Sequence, residues 1–169
     1  MYILGMNEKL KEFEINERFL TSRLLSHIPT VASVEYTKGR IAYDAIVKLT
    51  NQKTVLVEVK VRNCFESTYP DYILQVDKLV NLLKYKKQNG YDFIYYINYF
   101  KNPSSSGLRD CIIFNLGERA QRWKTDKPKV EKKWMNNETC VSTDYKVMKD
   151  VIMLTYDPTI DMKVTFTLN

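Results

Sequence analysis

Histidine, cysteine, glycine and proline are all scarce in this chain, and each scarcity removes a class of function. With His27 as the single histidine, Ser-His-Asp and Cys-His hydrolase mechanisms are disfavoured, because either would have to rest on that one residue. The cysteines Cys64, Cys111 and Cys140 are odd in number, widely spaced and without a CxxC pair, which supports neither a disulfide framework nor a zinc site. These four residues are assigned to structure. Five glycines and five prolines are too few for a collagen-like or linker chain. No apolar run approaches the roughly 18 residues that span a bilayer. The N-terminal stretch MYILGM is too short for a signal peptide. A soluble cytoplasmic protein without a membrane partner is expected.

What the chain does have is apolar and aromatic mass. Its 169 residues are 44% apolar and include 12 Tyr and 7 Phe, enough for one core and far from disordered composition. A core over 1–116 is expected, with 117–169 forming a basic segment and a C-terminal β hairpin packed on the same domain. The 26 Lys and Arg against 20 Asp and Glu leave a net charge of +6, too mild to name a partner. Its distribution says more. From Gly117 to Met135 seven basic residues (Arg119, Arg122, Lys124, Lys127, Lys129, Lys132, Lys133) face three acidic ones, flanked by Trp123 and Trp134. Such a segment suits a phosphate backbone and stacked bases, and equally a solvated loop with both tryptophans anchored in the core.

Along the chain, Leu10, Phe13, Leu20, Leu24 and Ile28 mark one face of a helix from Asn7, its N-cap, to Pro29, its stop. Glu17 falls within that apolar stripe, where an unpaired charge is costly. It either meets a cation or metal inside or reaches out to solvent. Two runs of period two follow, Ile41–Leu49 and Thr54–Val61. Val55, Val57, Val59 and Val61 share one face of the second and leave Glu58 and Lys60 on the other. Tyr43, Ala45, Val47 and Leu49 share a face of the first and leave Asp44 opposite. Matching the apolar faces sets Asp44 on the side of Glu58 and Lys60, and the parity demands an odd-length loop or a bulge around Asn51 and Gln52. A helix is expected from Tyr72 to Gln88, closed by Asn89 and Gly90, with Gln75 beside its stripe. A buried strand over 91–100 then implies a right-handed parallel crossover. A strand over 110–116 and a hairpin of 150–156 with 163–168 complete the expected elements.

Asp44 and Glu58-Val59-Lys60 carry the strongest chemical signal. Two carboxylates on adjacent strands offer the hard oxygens that Mg²⁺ prefers, and the Val59 carbonyl can add another. Lys60, on the face of Glu58, can position or polarise an attacking water and stabilise charge on a phosphoryl group. A Glu-x-Lys on a strand is also common as plain surface alternation. The conjunction with Asp44 at matching parity, Glu17 upstream and Gln75 downstream sets this one apart.

On these residues the chain resembles the PD-(D/E)xK nuclease superfamily over roughly residues 7–100: helix, three antiparallel strands (the first near 31–37), helix, strand. The resemblance implies an α/β fold with a restriction-endonuclease-like core, a mixed central sheet flanked by helices, here with a C-terminal β-rich extension. It implies Asp44 and Glu58 as metal ligands, Lys60 as the catalytic lysine, and Glu17 as the first-helix acid of many members, including junction resolvases. Gln75 is similar to the glutamine of the RecB-like branch, in which a tyrosine often stands four residues on; here that place is Leu79. Tyr43 stands where the motif's proline would precede Asp44. The activity implied is Mg²⁺-dependent hydrolysis of DNA, with Mn²⁺ as a substitute and Lys78 and the basic segment drawing in phosphates. A junction resolvase, commonly a homodimer, a restriction or defence endonuclease, and a phage or mobile-element recombination nuclease all fit. The 19 Lys against 7 Arg lean towards an AT-rich genome such as a phage's. The competing expectations are a catalytically silent nuclease-fold protein serving DNA binding or virion assembly, and an unrelated α/β domain with a fortuitous Glu-x-Lys.

Overall fold

The computed structural model describes residues 2–37, 43–136 and 146–168, with side chains from residue 11 onward. Ile41, where the second strand was expected to begin, and Cys140 lie outside the described residues, as does the side chain of Leu10. The protein is α/β, with a mixed central sheet flanked by helices. Helix α1 spans Tyr2–Ser26. Asn7 therefore lies inside it and not at its start, while the stop before Pro29 holds. Leu20, Leu24 and Leu25 are buried, and Thr21 beside them donates to the Glu17 carbonyl at 2.7 Å.

Three antiparallel strands follow, β1 (Val31–Tyr36), β2 (Ala45–Leu49) and β3 (Thr54–Phe65). Ala45 faces Val57 and Lys48 faces Thr54, so the β2–β3 loop is Thr50, Asn51 and Gln52, the odd length that parity required. Leu49 donates to the Lys53 carbonyl at 2.8 Å, and Gln52 takes up a φ of 66°, the left-handed residue that lets so short a loop close.

Residues Tyr72–Gln75 form a strand, β4, and the helix α2 covers only Val76–Asn89. The expectation of a helix from Tyr72 is corrected here. Tyr72 and Leu74 alternate into the core, and β4 pairs with a distant strand, an attachment no local pattern announces. Gly90, at φ 70°, closes α2 by donating to the Lys86 carbonyl. Strand β5 (Phe93–Lys101) then runs parallel to β3, from Val55 opposite Phe93 to Val61 opposite Tyr99.

Strand β6 (Leu108–Asn115), the short helix α3 (Leu116–Arg122), β7 (Val130–Asn136), β8 (Lys146–Leu154) and β9 (Met162–Thr167) complete the chain. The expected C-terminal hairpin does not form. Strand β9 pairs with β6 at the edge of the six-stranded sheet β1-β2-β3-β5-β6-β9, while β8 lies between β4 and β7 in a separate three-stranded sheet. Two cores result. Val55, Val57 and Val59 pack with Leu20, Leu24 and Tyr99 under α1. Leu56, Ile94, Ile112 and Phe114 pack on the opposite face with Leu79 and Leu82 of α2, Leu74 of β4 and Ile152 of β8. His27 rests near the Phe166 ring, and Cys111 is buried and free. Among the described residues no helix is long and apolar enough to cross a membrane.

Candidate active site

Strand β2 begins opposite Val57, whereas β3 continues to Phe65, so the β2 side of β3 is uncovered beyond that point. Asp44 occupies the opening. Its N–H donates to the Val57 carbonyl at 2.9 Å, and its Oδ2 accepts the Val59 N–H at 2.7 Å, replacing the strand partner that Val59 would otherwise lack. Strand periodicity puts the Val59 carbonyl on the same edge. The Asp44 carbonyl accepts from Thr37 N–H at 2.9 Å, which ties this turn to the end of β1. Tyr43 departs from the expected alternation: just outside β2, it turns to the opposite face and meets the Tyr85 ring of α2 edge-on at 5.5 Å.

The acidic groups approach Asp44 from both faces of the sheet. Glu17 comes from α1 and lines a small cavity of about 40 Å³ with Thr21, Thr37, Asp44 and Val59, room enough for a water or an ion. Burial, and then the Asp44 charge, push the Glu17 carboxyl up to about 7. Glu58 comes from the α2 side and is only 7% exposed. Burial, and again Asp44, raise it well above the ordinary carboxylate range. Its Oε1 accepts from the Lys78 ammonium at 2.7 Å, while its Oε2 is buried and offered no donor, and the Asp44 carboxyl is the other side chain within hydrogen-bonding reach of Glu58. Burial works to lower the Lys78 ammonium, but Glu58, Asp44 and Glu17 together outweigh it and hold Lys78 above an ordinary lysine.

Among the described residues no group of three or more His, Cys, Asp or Glu stands close enough to hold a metal ion as placed. The donor set nevertheless fits a hard divalent cation. Two carboxylates and a nearby carbonyl are oxygen ligands of the kind Mg²⁺ takes, and the orphaned Glu58 Oε2 is an acceptor for which the protein provides no donor. Lys78 is the cation that Glu58 meets in its place. That pairing differs from the expectation of Lys78 as a phosphate contact.

Below β3 lies a larger groove, about 640 Å³, which Glu58, Lys60, Gln75 and Lys78 line from one side and residues of β7 and β8 from the other. Gln75 ends β4 and caps α2 through its backbone, and its Oε1 accepts from Lys149 at 3.2 Å. The basic segment divides. The Arg119 guanidinium is 11% exposed and bound to the buried Asp161 carboxylate and to the Thr155 carbonyl, so it ties α3 to the chain before β9, a placement that differs from the expectation of a nucleic-acid contact. Arg122 pairs with Asp157 at 3.0 Å, and Lys124 donates to Gln121 at 2.6 Å. Lys129 and Lys133 flank Glu131, and Lys132 pairs with Asp150 across the strands. Lys127 stands in the turn before β7. Trp123 packs on the core, but Trp134 is 66% exposed, so the two tryptophans do not share one role.

Sequence reasoning missed Arg62, Asn98, Lys146 and Lys149. Arg62 follows Glu58 and Lys60 at period two, and ending the strand at Val61 hid it. Its guanidinium donates to Asn98 Oδ1 at 2.9 Å and to the Tyr96 hydroxyl at 3.2 Å on the groove floor, leaving Asn98 Nδ2 buried without a partner. Lys146 and Lys149 were missed because β8 begins four residues before Asp150. No protein-family model, curated protein or solved structure matches the chain.

Proposed function

We propose that the protein is a divalent-metal-dependent nuclease that hydrolyses DNA phosphodiester bonds on a PD-(D/E)xK-like, restriction-endonuclease-like core. The observation that carries this reading is Asp44 at the edge where β2 ends, with the carboxylate of Glu17 from α1 acting on one side of it and that of Glu58 from β3 on the other, and with Glu58 Oε2 buried and offered no donor. A fold has no stability reason to place two carboxylates where burial, and then the charge of Asp44 between them, raises both. The order helix, three antiparallel strands, helix, parallel strand supports it too, with β4 as an insertion that moves Gln75 from the helix onto its N-cap.

In this reading Asp44 and Glu58 hold the metal, the Val59 carbonyl adds a ligand, and Glu17 binds it directly or through water. Mg²⁺ bound there supplies Lewis acidity at a phosphoryl oxygen and a more acidic water. Lys60 faces the groove and neutralises charge that builds on the phosphate, a role that needs a fixed cation beside the reacting group and no histidine. Asp44 also holds the Val59 N–H, which fixes the angle between the two strands that carry the ligands. The test is cleavage of linear, nicked, single-stranded and four-way DNA with Mg²⁺ or Mn²⁺. Some form should be cut, and Lys60→Ala should abolish the cutting. Full activity in Lys60→Ala would sink the assignment.

One observation favours a second reading, a nuclease-like fold that binds DNA without cutting it: Glu58 already has a cation in Lys78. Calorimetric titration separates the two. A nuclease binds Mn²⁺ at millimolar concentration or tighter, and a Lys78-neutralised binding protein does not.

A further inference from the structure

Strand β8 pairs with β4 only through Val151–Leu154, while Lys146–Asp150 pair with β7 alone. The β7–β8 pair thus runs on beyond the three-stranded sheet as a two-stranded ribbon, an element of marginal stability by itself. Its cross-strand pair Trp134 and Met148 is exposed at 66% and 44%, so these large apolar side chains add little to either core. An exposed indole beside lysines is the pairing of stacking platform and cation that a polynucleotide strand uses.

The ribbon also forms one wall of the groove that contains Glu58 and Lys60. Lys60, Arg62 and Lys78 line it from the β3 and α2 side and Lys146 and Lys149 from the ribbon, with Glu58 the one acidic side chain among the described lining residues. Arg62 spends its hydrogen bonds on the neutral Asn98, Tyr96 and Ile73 and has no ion-pair partner among the described residues. The groove therefore selects a polyanion. A duplex covers its base faces, so an exposed indole at the groove wall stacks only on unpaired bases.

We infer that this groove takes a single polynucleotide strand with unpaired bases, that Trp134 is its stacking platform, and that the groove lysines bind its phosphates. The strand lies alongside Glu58 and Lys60, which would give the nuclease its substrate class. In that respect the inference rests on the proposed function, but binding itself does not require cleavage.

The experiment is therefore run in EDTA. Fluorescence anisotropy compares labelled oligodeoxythymidylate, oligouridylate and a mixed-sequence DNA duplex on the full chain. Single strands should bind more tightly than the duplex, and Trp134→Ala should weaken single-strand binding by about five- to a hundredfold, the effect of losing one base–aromatic stack. Trp134→Phe should keep most of the affinity. Strand binding should quench the fluorescence of the wild type and leave that of Trp134→Phe, which reports Trp123, nearly unchanged. Lys146→Ala should lower the slope of log K against log salt by about 0.7, one phosphate contact on a single strand. Preference between the two oligonucleotides tells DNA from RNA as the source of the strand. Equal affinity for strand and duplex, or no effect of Trp134→Ala, overturns the inference. Strand binding without cleavage by the metal-loaded protein counts against the nuclease reading alone.

Discussion

The Lys78 ammonium lies 2.7 Å from Glu58 Oε1, so a lysine of α2 neutralises the most buried carboxylate of the candidate site. Removing one partner of a fully buried pair typically costs about 3–5 kcal/mol. Lys78 is 33% exposed, and Lys78→Met should cost less, about 1–3 kcal/mol by urea denaturation in EDTA. The substitution leaves Glu58 without its counter-charge. Mn²⁺ should therefore raise the melting temperature of Lys78→Met by more than it raises that of the wild type. Equal shifts would mean that Glu58 does not meet the metal.

Asp44 combines a structural and a chemical role that two substitutions separate. Its Oδ2 is the acceptor for the Val59 N–H, so Asp44→Ala orphans a part-buried donor and should cost about 1–3 kcal/mol. Asp44→Asn keeps an acceptor oxygen and should lose less than half as much. Cleavage should fall to background in both, since each removes the ligand charge. An active Asp44→Asn protein would confine Asp44 to its role in the backbone.

Much of the first hundred residues was legible, for identifiable reasons. Val55, Val57 and Val59 alternate with Glu58 and Lys60, and that period alone sets the face of each side chain and the parity of the loop at Asn51. The extent of β4 was not legible, because Tyr72, Val76, Leu79 and Leu83 also fall at helical spacing and four strand residues are too few to outweigh it. The separation of β8 from β9 was hidden for another reason. Their partners, β4 and β6, lie far away in the chain, and two short apolar runs around Asp157 and Pro158 read locally as a hairpin. At the site, the acids were visible as residue types, whereas the Lys78–Glu58 pair and the Arg62–Asn98 contact arise from the parallel crossover that brings α2 and β5 beside β3.

Arg119 illustrates how a basic segment misleads. Its guanidinium meets Asp161, which is fully buried and also accepts the backbone N–H groups of Asn115 at 3.1 Å and Asp157 at 3.0 Å. Arg119→Ala leaves that carboxylate without its counter-ion and should destabilise the protein by about 3–5 kcal/mol. DNA affinity per folded molecule should not change. A protein of normal stability with weakened DNA binding would return Arg119 to the interface.

The raised carboxyl of Glu17 gives the site a pH dependence whose sign can be derived. Its value in the folded protein is about 7 against an ordinary 4.5, so the folded state holds a proton that the unfolded chain has released between those values. Its contribution to stability is therefore fully present below 4.5 and lost as the pH rises to about 7, and Glu58, raised in the same direction, adds to the loss. Without metal, the melting temperature should fall between about pH 5 and pH 8, and Glu17→Gln should flatten that fall. A divalent cation needs the ionised carboxylates, so its binding must displace this proton, and apparent Mg²⁺ affinity should climb with pH through about 7, with the raised Glu58 extending the climb. The measurement is a pair of melting curves, with and without Mg²⁺, across that range for wild type and Glu17→Gln. Identical slopes in the two proteins would place Glu17 outside the metal site.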